Sequence, residues 1–155
     1  MRASLETLRG KRKLIGCEIG VSFGENAKDI LDNLDIAKIY LVDPLWLSEK
    51  NFLRAKDYLK KYLHKIVWIG KRSEDVTLKE IPYDSLDFCY IDGSHEYHDV
   101  KKDLKLYWPR VKVGGLCAGH DYERKHTVAL AVKEFFKGKK EIFSDTTSVD
   151  WWVYK

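Results

Sequence analysis

The chain has 155 residues and a mass of 18.2 kDa, and its 28 basic and 24 acidic residues give a net charge of +4. Hydrophobic residues make up 45% and charged residues 34% of the sequence, a balance that excludes disordered and fibrous proteins. The length predicts a single domain over residues 1–155. No apolar run approaches the roughly 18–20 residues that a membrane-spanning helix needs, so we expect the chain to be located in the cytoplasm.

Short apolar runs alternate with amphipathic stretches from one end of the chain to the other. Apolar runs rich in β-branched residues predict strands, and apolar residues spaced three and four apart predict helices. The predicted strands are Leu14–Gly20, Lys38–Asp43, Lys65–Ile69, Leu86–Ile91, Leu116–Ala118, Glu141–Ser144 and Asp150–Tyr154. The predicted helical segments are Glu25–Leu34, a helix capped by Ser48 that runs to about Leu63, a short one near Glu74–Glu80, Tyr97–Trp108 and His126–Phe136.

This alternation indicates an α/β fold with a parallel sheet and right-handed crossovers. The pair Gly114–Gly115 predicts a turn before the fifth strand, and the last two strands can pair as a hairpin at one edge. In such sheets ligands bind outside the carboxyl ends of the strands. The residues that directly follow each strand are therefore the candidates for function.

The turn after the first strand contains Gly20 and Gly24, which allow a ligand to approach the backbone closely. Their G-x-x-x-G spacing falls short of the G-x-G-x-x-G dinucleotide fingerprint. Glu18 lies within the apolar strand, so its carboxylate should meet a cation or a hydrogen-bond donor. Asp43 ends the second strand about 20 residues further on, a position that suits the hydroxyls of a ribose; capping the turn at Pro44 is the alternative.

Ser73 follows the third strand, where it could cap a helix or contact a base. Asp92 and His95 follow the fourth strand, and His120 and Asp121 follow the fifth.

The fourth and fifth strands are expected to be neighbours in the sheet. Asp92 and Asp121 should therefore face each other and need a shared cation. Mg²⁺ or Mn²⁺ is the expected ion, with Asp92, His120 and Asp121 as its ligands. The alternative is a cluster of caps and hydrogen bonds without metal.

Two features weigh against other classes of protein. The basic residues are scattered apart from small clusters at Lys11–Lys13 and Lys137–Lys140, so nucleic acid is not the expected partner. Cys17, Cys89 and Cys117 each lie in an apolar run without C-x-x-C spacing. That pattern favours buried thiols over a disulfide framework or a metal site.

The runs CEIGVSFGENA, YLVDP, FCYIDGSHEYHDVKKDL, GGLCAGHDY and DWWVYK occur in this order. On these motifs the chain resembles the class I S-adenosylmethionine-dependent methyltransferases, in particular the small-molecule O-methyltransferase-like group with I-D-G-x-H and G-H-D-Y motifs. The resemblance implies a three-layer Rossmann-like sandwich. Its seven-stranded sheet would be mostly parallel, with an antiparallel C-terminal strand and helices on both faces.

The resemblance also implies roles for individual residues. S-adenosylmethionine would be held by Glu18, Gly20, Ser22, Gly24, Asp43, Ser73 and Asp92. His95 would act as the general base, with Asp92 as the second catalytic residue. In metal-dependent relatives, acidic or amide residues at the positions of His120 and Asp121 join the Asp92 position in binding Mg²⁺, so His120 departs from the pattern.

The expected function is therefore O-methylation of a small or glycosylated acceptor from S-adenosylmethionine, with assistance from a divalent metal. The alternatives are a cofactor-binding module without independent turnover, an RNA methyltransferase and a nicotinamide-dependent oxidoreductase, which the incomplete fingerprint disfavours. Few residues precede the first strand, so we expect an open acceptor site. A homodimer would close it, or a large acceptor would fill it.

Overall fold

Seven strands form one sheet in the order β3-β2-β1-β4-β5-β7-β6 in a computed structural model that describes residues 1–155. The strands are β1 (Leu14–Ile19), β2 (Ile36–Val42), β3 (Ile66–Ile69), β4 (Leu86–Ile91), β5 (Val111–Gly119), β6 (Phe143–Asp145) and β7 (Asp150–Tyr154). The helices are α1 (Ala3–Glu6), α2 (Glu25–Asn33), α3 (Glu49–Tyr58), α4 (Tyr97–Tyr107) and α5 (His126–Phe136). None of the helices combines the length and the apolar character that crossing a bilayer requires.

The first five strands run parallel, while β7 runs antiparallel to both β5 and β6. The chain builds β1, β2 and β3 outward in one direction and then returns to place β4 on the other side of β1. The strand order therefore reverses between β1 and β4, which is where ligands bind in open α/β sheets. The predicted seven-stranded, mostly parallel sheet with an antiparallel C-terminal strand is confirmed.

Each face of the sheet is covered by helices, as expected. One face packs against α4 and α5, and the other against α1, α2 and α3. The three cysteines lie side by side in the sheet: Cys17 is paired in register with Cys89, and Cys89 with Cys117. All three are free thiols with no exposed surface, which agrees with the predicted packing role.

The turn predicted at Gly114–Gly115 is wrong. Both glycines lie inside β5, which begins at Val111 rather than Leu116, and its pairing with β4 shifts register after Leu86. A Cβ on Gly115 would lie 2.9 Å from the carbonyl oxygen of Asp87. The glycines therefore allow an irregular stretch of a longer strand, as in a β-bulge.

Two predicted helices are shorter than expected. The helix after Ser48 ends at Tyr58 and is followed by a 3₁₀ segment, Lys60–Lys65, and the Ser48 side chain makes no capping hydrogen bond. Near Glu74–Glu80 only a single 3₁₀ turn forms, over Ser73–Asp75. Both segments connect a helix or strand to the next strand of the sheet, and packing against the sheet overrides their local helix propensity.

Residues 1–8, at the start of the segment that precedes β1, form what we call the N-terminal strap. The amino nitrogen of Met1 lies 3.2 Å from Oδ2 of Asp29 on α2. The Ser4 hydroxyl donates to Oδ2 of Asp150 at the start of β7, at 2.6 Å, and Leu5 and Leu8 are fully buried. The strap thus packs on the face of the sheet that α2 and α3 also cover.

Candidate active site

A cleft of about 400 Å³ opens at the carboxyl ends of β1, β2 and β4. The predicted cofactor-binding residues that line it are Gly20, Ser22, Asp43, Ser73 and Asp92. Glu18 and Gly24 were predicted to bind the same ligand, but they lie behind the lining. The cleft is therefore where the sequence placed a nucleoside-type ligand, at the reversal of strand order.

Gly20 is required by the close approach of two strands. Its backbone has φ +80°, and a Cβ there would lie 2.2 Å from the carbonyl oxygen of Asp92. Gly24 is required by packing, because a Cβ at that position would meet Leu59 Cδ1 at 2.7 Å. Gly24 thus lets α2 begin against the segment that follows α3.

Asp43 holds the glycine turn in place. Its Oδ2 accepts hydrogen bonds from the backbone N–H of Val21 at 2.8 Å and of Ser22 at 2.6 Å. Its Oδ1 accepts from the N–H of Leu45 at 2.8 Å, which caps the turn at Pro44. An ionised carboxylate offers about four lone-pair positions, so one acceptor position remains for a ligand hydroxyl.

Glu18 is a buried carboxyl group that is only half satisfied. Its Oε1 accepts from Asn26 Nδ2 at 3.1 Å, which is the donor that the sequence required, whereas Oε2 has no partner. Burial raises the pKa of Glu18 to about 8, because a charged carboxylate is costly in an apolar environment. A cationic group brought by a ligand into the adjoining cleft would therefore favour the ionised form of Glu18.

Ser73 takes part in a contact that the sequence analysis missed. Its hydroxyl donates to Oδ1 of Asp103 on α4 at 2.5 Å, and both residues line the cleft. Burial raises the pKa of Asp103 to about 6. A signal was present, since Val100, Asp103 and Leu104 share one face of the predicted helix, and a carboxyl group on an apolar face needs a partner.

Beside the cleft, two histidines and two aspartates converge after β4 and β5. His95 Nε2 lies 2.6 Å from Oδ2 of Asp121, and His120 Nδ1 lies 3.3 Å from the same oxygen. Oδ1 of Asp92 is 3.8 Å from each of these two nitrogens. The predicted meeting of Asp92 and Asp121 across neighbouring strands is confirmed.

The environment of this cluster disfavours the charged form of Asp92 and holds Asp121 in an uncommon backbone conformation. Burial raises the pKa of Asp92 to about 6, and the nearby His120 acts against that rise. Asp121 has φ +60°, a left-handed conformation that is uncommon outside glycine and that tends to occur at functional sites. His95 Nε2 is buried and makes no hydrogen bond, although Oδ2 of Asp121 lies 2.6 Å from it.

These groups fit a divalent cation. Ligand atoms of Asp92, His95 and Asp121 all lie within 4.8 Å of one another, whereas the sequence placed His120 rather than His95 in that set. Carboxylate oxygens suit Mg²⁺ or Mn²⁺, but imidazole nitrogen favours first-row transition metals. The mixed donors therefore favour an ion such as Mn²⁺ over the Mg²⁺ that the resemblance implied.

A parallel sheet with a ligand cleft at its strand-order reversal defines a nucleotide-type binding fold of the Rossmann-like class. The profile of a methyltransferase-domain family matches residues 15–122, which is more than half of the chain. The chain therefore belongs to this family of methyltransferase domains. The matched range includes the cleft and the cluster of histidines and aspartates.

One curated relative is the uncharacterized protein R132 of Acanthamoeba polyphaga mimivirus. It is 29% identical over 119 residues, which make up 73% of this chain and 53% of that protein. The chain thus spans about half the length of this relative.

Solved structures share the fold at low sequence identity. A Corynebacterium glutamicum protein has a TM-score of 0.75 at 15% identity, covering 97% of this chain and 78% of its own. The O-methyltransferase NovP has a TM-score of 0.69 at 18% identity, with coverage of 97% and 78%. A putative methyltransferase from Streptococcus mutans in complex with SAH has a TM-score of 0.67 at 14% identity, with coverage of 97% and 93%.

Glu18→Gln is expected to flatten the pH dependence of stability. The pKa of Glu18 is about 8 in the folded chain and near 4.5 when unfolded, so the protonated folded form contributes stability that is lost as the pH rises towards 8. Urea denaturation at about pH 5 and pH 8 should show a larger loss of unfolding free energy for the wild type than for Glu18→Gln. The exposed Glu25→Gln is the control, and equal losses in wild type and Glu18→Gln would contradict the assignment.

Proposed function

We propose that the chain is an S-adenosylmethionine-dependent O-methyltransferase whose acceptor is a small or glycosylated molecule carrying a hydroxyl group. The observation that carries the proposal is the position of Asp92. It lines both the 400 Å³ cleft and a small neighbouring cavity formed with His95 and His120. A ligand in the cleft would therefore end beside groups that can accept a proton.

The cleft has the chemistry to hold S-adenosylmethionine. Asp43 would accept a hydrogen bond from a ribose hydroxyl. Glu18 lies behind the lining, so its carboxyl group would favour the ammonium group of the methionine part by charge rather than by direct contact. Ser73 and Asp103 would lie at the adenine end. The Streptococcus mutans neighbour, which is in complex with SAH, supports this choice of cofactor.

When bound, the sulfonium group supplies an activated methyl group. The chain must hold the acceptor oxygen in line with it and remove the hydroxyl proton as the new C–O bond forms. His95 is the proposed base, because its side chain is 42% exposed while those of His120 and Asp121 are each 12% exposed. The carboxylate of Asp121 would orient the imidazole and stabilise its protonated form, as in a catalytic triad.

A histidine base between two carboxylates favours an acceptor hydroxyl group, whose oxygen must lose a proton, over other acceptor atoms. NovP, which shares the fold, is an O-methyltransferase. A divalent cation would assist by lowering the pKa of the acceptor hydroxyl. In this geometry His95 is the histidine grouped with Asp92 and Asp121, but a His95 nitrogen that binds a cation cannot accept a proton. We therefore assign the cation to Asp92, His120 and Asp121, because His120 Nδ1 also lies near both carboxylates, at 3.8 Å and 3.3 Å.

The purified chain is expected to bind S-adenosylmethionine and SAH with dissociation constants in the micromolar range. Asp43→Asn should weaken binding about tenfold or more, because it removes a charged acceptor that also holds the glycine turn. Isothermal titration calorimetry measures both, with the exposed Asp35→Asn as the control. A folded chain that gives no heat with either compound and binds NADH instead would refute the proposal.

His95→Gln is expected to lower kcat by about 10²- to 10⁴-fold, the usual contribution of a general base. The assay is transfer of a labelled methyl group to acceptors found in a screen of hydroxylated aromatics and sugars. SAH affinity should stay within about twofold of the wild-type value, and His64→Gln, an exposed histidine at the opposite edge of the sheet, is the control. Unchanged kcat in His95→Gln would remove its role as the base.

The cluster is expected to bind Mn²⁺ more tightly than Mg²⁺, because its donors include imidazole nitrogen. Electron paramagnetic resonance of free Mn²⁺ during titration measures binding directly, with Mg²⁺ added as a competitor. Asp92→Asn and Asp121→Asn should abolish binding, whereas His95→Gln should retain it. Loss of Mn²⁺ in His95→Gln would make His95 a ligand, and tighter binding of Mg²⁺ would contradict the predicted order.

A further inference from the structure

Asp103 on α4 is a buried carboxyl group whose two oxygens have different surroundings. The residue is only 4% exposed, and it lines the cleft of about 400 Å³. Its Oδ1 accepts the hydrogen bond from the Ser73 hydroxyl at 2.5 Å, whereas Oδ2 has no hydrogen bond and no ion pair within the chain. A carboxylate oxygen that is buried without a donor is unfavourable. Oδ2 is therefore suited to a donor that a ligand brings into the cleft.

The orientation of Asp103 is fixed through the loop that follows β3. The hydroxyl of Tyr107 on α4 donates to the carbonyl oxygen of Ser73 at 3.0 Å, and Arg110 Nη2 donates to the carbonyl oxygen of Val76 at 2.7 Å. These two contacts hold the loop against α4 and the residues directly after it. Since Ser73 in turn holds Oδ1 of Asp103, the direction of Oδ2 is fixed as well.

No cation of the chain forms an ion pair with Asp103. The two cations that line the same part of the cleft are paired elsewhere, since Lys102 Nζ lies 2.6 Å and Arg72 Nε lies 3.3 Å from carboxylate oxygens of Glu74. Gly93 has no side chain to fill the space beside Oδ2, where a Cβ would lie 3.8 Å from this oxygen. The free oxygen thus adjoins space that a ligand can occupy.

The order of groups in the proposed cofactor decides which of them reaches Asp103. The methyl-bearing sulfur must lie near Asp92 and His95, where the acceptor loses its proton, and Asp43 would hold the ribose. In S-adenosylmethionine the ribose lies between the sulfur and the adenine ring. The ring must therefore extend into the remaining part of the cleft, which Ser73 and Asp103 line.

Adenine carries a donor that matches the free oxygen of Asp103. The exocyclic amino group at the edge of the ring offers two N–H donors, and an ionised carboxylate only accepts hydrogen bonds. Burial raises the pKa of Asp103 to about 6, so the group is mostly ionised at pH 8. A ribose hydroxyl is the other neutral donor that the cofactor could offer.

We propose that Asp103 determines the base specificity of the cleft, because its Oδ2 accepts a hydrogen bond from the exocyclic amino group of adenine. The inference rests on the proposed function and adds to it the selection of adenine over a 6-oxo purine. Hypoxanthine has a carbonyl oxygen in place of the amino group, and that oxygen would face the carboxylate with no proton between them. Ser73 is a positioning residue in this arrangement, because it holds the other oxygen of Asp103.

The test compares the binding of SAH and S-inosylhomocysteine, its 6-oxo analogue, by isothermal titration calorimetry at pH 8. The wild-type chain is expected to bind SAH at least tenfold more tightly, because the analogue leaves the buried oxygen without a donor. A chain that binds both compounds equally well would overturn the inference and leave the proposed function intact. A chain that binds neither compound would refute the proposed function and the inference together.

Asp103→Asn separates base recognition from a merely structural role. Its Oδ1 can still accept from Ser73, while an amide nitrogen replaces the free oxygen and can donate to the carbonyl of hypoxanthine. The preference for SAH over S-inosylhomocysteine should therefore fall at least tenfold relative to the wild type. Asp57→Asn, at an exposed position on α3, is the control and should keep the wild-type preference.

The same variant distinguishes the two donors of the cofactor. If Asp103 bound a ribose hydroxyl, Asp103→Asn would weaken both compounds alike and leave their ratio unchanged, which would overturn the inference. Thermal unfolding establishes that the variant is folded. The comparison of the two compounds on the wild-type chain does not depend on any variant, so the inference can be refuted even if Asp103→Asn fails to fold.

Discussion

The close approach of β1 and β4 at their carboxyl ends determines the geometry of the whole site. The N–H of Asp92 donates to the carbonyl of Ile19 at 2.8 Å, and Gly20 passes so near that a Cβ would lie 2.2 Å from the Asp92 carbonyl oxygen. The cleft lies on one side of this contact and the cluster of histidines and aspartates on the other. Asp92 belongs to both because nothing larger than glycine separates the strands.

The site contains several carboxyl groups, and their burial opposes ionisation. Glu18, Asp92 and Asp103 all have pKa values raised by burial, to about 8, about 6 and about 6. A cationic ligand reverses that balance, because an opposite charge nearby favours the ionised form. A sulfonium compound with an ammonium group is such a ligand, so the electrostatics of the cleft favour S-adenosylmethionine, the cofactor that the methyltransferase family indicates.

The sequence predicted features that depend on local pattern and missed those that depend on packing between distant segments. Strand alternation placed Asp43, Asp92 and Asp121 at one edge, because parallel strands end together. The partnership of Ser73 with Asp103 depends on how α4 lies against the cleft, and no spacing rule contains that information. Likewise, Gly114 resembles a turn residue locally, and only the pairing of β5 with β4 on both sides of it shows that the strand continues through it.

The hydrogen bond from Ser4 to Asp150 joins residues 146 positions apart. Closing so long a loop is entropically costly and happens late in folding. During synthesis β1, β2, β3 and β4 can assemble before β7 exists. The hydroxyl groups of Ser4 and Tyr90 then lack their common acceptor, the carboxylate of Asp150. The ribosome must therefore deliver almost the entire chain before the strap can be fixed, so in a half-made chain the N-terminal segment is still without its anchor on β7.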